Sequence, residues 1–138
     1  MALYAFGPKV SKMKRDQDWR LTLDKTKHII AMVLQGPRSW TVLVTEYHDS
    51  QPVNLQYGVL DLADDIGTWC GTVAKYLYEA GLISANVRRC LEEMGDIAEG
   101  QESNPDFDSL DGYYSHPLWT RIRELAREVA DELGIDVN

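Results

Sequence analysis

The hydrophobic residues change their period near residue 60. Upstream, Trp19, Leu21 and Leu23 alternate with Arg20, Thr22 and Asp24, the two-residue repeat of a half-buried strand. His28 to Gln35 is apolar on both faces, through Ile29, Ile30, Met32, Val33 and Leu34, as a central strand covered on both sides would be. Gln35, Gly36, Pro37 and Arg38 supply turn chemistry, and Trp40 to Tyr47 is rich in β-branched and aromatic residues. Beyond the turn residues His48 to Pro52, the segment Val53, Leu55, Tyr57, Val59 alternates with Asn54, Gln56 and Gly58. The expected arrangement of this half is a four-stranded antiparallel β-meander.

Downstream the spacing is helical. Leu62, Ile66, Trp69, Cys70, Val73, Leu77 and Ala80 share one stripe, with Asp61 or Asp64 as N-cap and Gly81 as terminator. A shorter helix is expected over Ala85 to Met94, capped by Ser84, with Val87, Cys90, Leu91 and Met94 inward and Gly95 ending it. The last helix starts near Ser115 to Pro117, buries Leu118, Ile122, Leu125, Ala126, Val129 and Leu133, and stops at Gly134. The expected fold class is therefore α+β, a meander over 19–60 followed by three helices packed on the sheet. Residues 1–18 are expected to form a loosely ordered basic arm, and 95–114 an acidic loop inside the helical part 61–138.

A chain of 138 residues buries roughly two-thirds of its unfolded surface as one domain without disulfides or metals. Its longest apolar stretches fall far short of the roughly 20 residues a membrane helix needs, and Met1 to Phe6 lacks the pattern of a secretory signal. A cytoplasmic protein with no membrane partner is expected. Cys70 and Cys90 fall at apolar helix positions and read as reduced core thiols.

Charge is unevenly placed. Residues 1–40 hold eight basic side chains against three acids, whereas the remainder holds six against nineteen. Between Glu92 and Asp111 there are eight acids and no base. Such a field repels nucleic acid and favours partners with basic surfaces. Four cations on the arm, Lys9, Lys12, Lys14 and Arg15, make a weak phosphate footprint in a chain of net charge −8, so direct nucleic-acid binding is not expected.

No catalytic or cofactor motif is present. Asp106, Asp108, Asp111 and Gly112 suggest a hard-cation loop, but the register of an EF-hand fails: Leu110 and Pro117 stand where ligands belong. His28, His48 and His116 lack the short ligand spacing of a zinc site. His48 beside Asp49 reads as turn chemistry, and no glycine-flanked serine elbow or phosphate loop appears. Gly67 and Gly71, four apart, lie inside a helix and would let another element approach closely. Of the four tryptophans, Trp19, Trp40 and Trp69 read as core, with Trp119 at the edge of its stripe and open to exposure.

The remaining candidate is the acidic connection that ends in aromatics. Carboxylates speed encounter with a basic surface, and aromatic rings supply dry contact area. Glu99, Glu102, Asp106, Phe107, Asp108, Asp111, Tyr113 and Tyr114 are the expected partner-binding residues. The functional expectation is a non-enzymatic inhibitor or immunity-type, anti-defence-like factor that covers a basic surface of a partner protein, such as one that handles nucleic acid. It needs no catalytic residue, metal or cofactor. One alternative is a small enzyme or metal-binding protein whose site assembles from His48, His116 and Asp106, Asp108 and Asp111. The other is a homo-oligomer, a homodimer in the simplest case, in which the basic arm docks on a neighbour.

Overall fold

The computed structural model describes residues 8–37, 40 and 58–136, with side chains from Trp19 onward. Among the described residues there is no strand. The elements are α1 (Pro8–Gln35), α2 (Val59–Asp65), a π-helical segment Ile66–Cys70 that continues it, α3 (Gly71–Glu79), α4 (Ala85–Gly100), α5 (Leu110–Ser115) and α6 (Pro117–Leu133).

The first half corrects the β-meander, and with it the α+β fold class. The two strands expected from Trp19 to Asp24 and from His28 to Gln35 are consecutive parts of α1. The reason is visible in which side chains are covered. Trp19, Leu23, Thr26, Ile30 and Val33 are four and three residues apart in turn, one face of a helix, and all are partly or fully buried. Leu21, which completed the apparent alternation, is 62% exposed. No Gly or Pro interrupts positions 9–35, so nothing breaks the helical hydrogen-bond ladder. The basic stretch expected as a loose arm forms the first turns of the same helix from Pro8 onward.

The Gly36–Pro37 turn is real but ends a helix instead of joining two strands. Gly36 has a φ of +86°, a region open to glycine at little cost, and its N–H donates to the Met32 carbonyl at 3.2 Å. Trp40 is buried and its Nε1–H donates to that same carbonyl at 2.7 Å. The rest of the expected third strand, 41–47, and residues 53–57 of the fourth lie outside the described residues. The last residue of the fourth, Val59, opens α2.

Helix boundaries in the second half follow local chemistry. Gly58 is the N-cap of α2, and its N–H donates to the Asp61 carboxylate at 2.8 Å, so Asp61 serves from the first turn and not as the cap itself. Gly81, with φ +77°, follows the end of α3. Ser84 caps α4 by accepting from Val87 N–H at 3.1 Å, and Gly134, with φ +69°, closes α6. One expected terminator fails: α4 runs through Gly95 to Gly100. Gly95 lies in the helix because its bare Cα faces Gly71, where an added Cβ would stand 2.9 Å from the Gly71 backbone.

α4 is the central element, packed against the π segment and α3 on one side and α6 on the other, while α1 lies against α6 and touches α2 and α3. Ile30, Val33, Leu62, Ile66, Leu77, Leu91, Met94, Ile122 and Leu125 fill the shared core. Cys70 and Cys90 are buried free thiols, and burial pushes the Cys70 thiol up to about 12. Among the described residues no helix is long and apolar enough to cross a membrane.

Candidate functional site, an acidic groove between two helices

The groove exists because two helices meet at glycines. Gly67 and Gly71 present a flat strip on the π segment and the start of α3, and Ala98 and Gly95 answer it from α4. A Cβ on Gly67 would lie 3.3 Å from Glu99 Cγ and 3.6 Å from Ala98 Cβ. Small residues at such a crossing let the backbones approach, and the longer side chains on either side become the walls of a cleft.

Those longer side chains are almost all acidic. One end of the cleft is a cavity of about 80 Å³ whose apolar side is Leu60, Ala63 and Ala98 and whose polar side includes Asp64, Glu99, Glu102 and Asp108. It continues past Gly67 and Gly71 to Glu92 and Asp96. No basic residue lines either part. Asp108 is partly buried there, and its carboxyl is pushed up, first by loss of water and then by the charge of Asp64. The charges of Asp64 and Asp108 thus oppose each other in this cleft.

Three arginines of this part of the chain are drawn elsewhere. Arg121 donates from Nε and Nη2 to Glu93 at 2.8 and 3.1 Å and pairs with Glu124 at 3.3 Å. Arg89 reaches Glu93 and Glu128 at 3.7 and 3.6 Å. Arg123 donates to the Tyr113 carbonyl oxygen and stacks over the Tyr113 ring. Arg88 pairs with Glu92 at the edge of the groove, at 3.2 Å.

The eight expected partner-binding residues divide into three groups. Glu99, Glu102 and Asp108 are brought together in the groove. Asp106, Asp111 and Tyr114 are exposed on the neighbouring turn and on α5, Tyr114 by 61%. Phe107 and Tyr113, in contrast, are core. Phe107 is wholly buried, stacked on Trp119 with ring centroids 4.8 Å apart, and its carbonyl accepts from Trp119 Nε1–H at 2.8 Å. Tyr113 donates through its hydroxyl to the Val33 carbonyl at 2.6 Å and meets Trp40 edge-on at 5.5 Å. Trp119, expected at an edge, is buried between these rings.

The acidic connection is accordingly much shorter and more structured than a 95–114 loop. Residues 95–100 complete α4, and 110–115 form α5. What remains is a run of turns centred on Asn104, whose carbonyl accepts from Phe107 and Asp108 N–H at 3.0 and 2.9 Å and whose side-chain Oδ1 accepts from Asp106 N–H at 3.1 Å. Ser109 then caps α5 through Gly112 N–H at 3.0 Å.

Of the alternative enzyme or metal site, only His116, Asp106, Asp108 and Asp111 are among the described residues. His116 is the N-cap of α6, with Nδ1 accepting from Leu118 N–H at 3.1 Å and its ring edge against Phe107. His48 lies outside the described residues. His28 sits within α1, its Nδ1 2.9 Å from the Asp24 carbonyl. Among the described residues no group of three or more His, Cys, Asp or Glu side chains is arranged to hold a metal ion. Gly112, the glycine of the cation-loop suggestion, has a packing role: a Cβ there would stand 2.1 Å from the Asp106 carbonyl oxygen.

Reading the sequence for acids in one continuous run missed Asp64, whereas Gly67 and Gly71 were expected to let another element approach closely, and α4 does so there. The signal was present as helical spacing, Asp64, Gly67, Thr68 and Gly71 on one helix and Glu92, Gly95, Asp96 and Glu99 on the other. That these two faces oppose each other is a tertiary fact. No family model matches the chain, and neither a curated protein nor a solved structure shows detectable similarity to it.

Proposed function

We propose that this protein is a non-enzymatic binding factor of the inhibitor or immunity type, which covers a basic surface of a partner protein with the groove between α2–α3 and α4. The observation that carries this reading is the groove itself: Asp64, Asp96, Glu99, Glu102 and Asp108 line it with no cation among them. A basic side chain entering would offset the loss of water and the Asp64 charge that together raise Asp108, and its aliphatic stem would lie on Leu60, Ala63 and Ala98. The partner is a protein with clustered lysine or arginine, such as one whose surface otherwise meets nucleic acid; the groove's own charge disfavours phosphate. The exposed Asp106 and Asp111 would extend the same field and raise the rate of encounter.

Affinity capture from the source cells tests this, with the protein as bait beside a Glu99→Gln, Glu102→Gln, Asp108→Asn triple variant and a Glu124→Gln, Asp131→Asn control. The expected result is a basic partner retained by the protein and the control. The triple variant should bind it about tenfold or more weakly, as should all baits at about 0.5 M salt. Equal retention by all three, indifferent to salt, would sink the reading.

A further inference from the structure

We draw no further inference here: the strongest candidate, the cavity of about 80 Å³ at the α2 end of the cleft where Asp64 and Asp108 meet beside Leu60, belongs to the acidic groove already described, and no second observation in the structure points to a particular ligand for it.

Discussion

Among the described residues, Gly112 and Gly95 are positions where a side chain would collide with backbone. At Gly112 the turn over 104–107 folds back until the Asp106 carbonyl occupies the place of a Cβ; at Gly95 the backbone of Gly71 does so. Backbone cannot move aside as a flexible side chain can, so both substitutions overpack. Gly112→Ala and Gly95→Ala should each destabilise by about 2 kcal/mol or more. Gly100→Ala, at a helix end with open space around it, should be neutral or slightly stabilising. Urea unfolding of the three variants checks this, and an unchanged midpoint for Gly112→Ala would contradict the turn geometry. Phe107 makes the same point for aromatics: Phe107→Ala should cost about 3–5 kcal/mol, while Tyr114→Ala should change little. Sequence reading singled out both rings as contact residues because it sees type and neighbours but not depth.

Among the elements, α4 depends most visibly on a cap made between helices. Ser84 accepts from Val87 N–H while donating to Glu132 of α6 at 2.7 Å, and Asn86 donates to the same carboxylate. Ser84→Ala should therefore cost about 1 kcal/mol, measurable by thermal unfolding, and should loosen the contact between the start of α4 and the end of α6. These caps and stops were legible in the sequence, because Ser84, Gly81, Pro117 and Gly134 act on residues within one turn of themselves. The length of α4 was not, since a glycine inside a helix and one that ends it look alike until its neighbour across the crossing is known. In α1 the six residues from Trp19 to Asp24 satisfy a strand repeat, but the wider set Trp19, Leu23, Thr26, Ile30, Val33 satisfies the helical one. A window that short does not distinguish the two periods, and the longer window favours the helix.

For the molecule as a whole, charge acts on stability with two opposite signs. Glu93, hydrogen-bonded by Arg121, and Glu132, hydrogen-bonded by Asn86 and Ser84, are held below their ordinary values. Their contribution is present above the ordinary value of 4.5 and is lost as pH falls through the lowered ones. Asp108 is raised, so its contribution is full below the ordinary value of 3.8 and is lost as pH rises through the raised one. Asp108→Asn should accordingly raise the melting temperature near neutral pH and leave it little changed at about pH 3, whereas Glu93→Gln should lower it near neutral pH and do so less in acid. Melting curves across this range would show the opposed trends, and parallel behaviour of the two variants would refute the assignment. By itself the sequence determined the later helices other than α5, most of their ends and the excess of acid between 92 and 111, because periodicity, capping and charge are local properties. Only the tertiary structure decided that the earlier period was helical, that Phe107 and Tyr113 lie inside, and that Asp64 faces Asp108. Burial and the opposition of two helix faces belong to pairs of segments far apart in the chain, and no single stretch carries them.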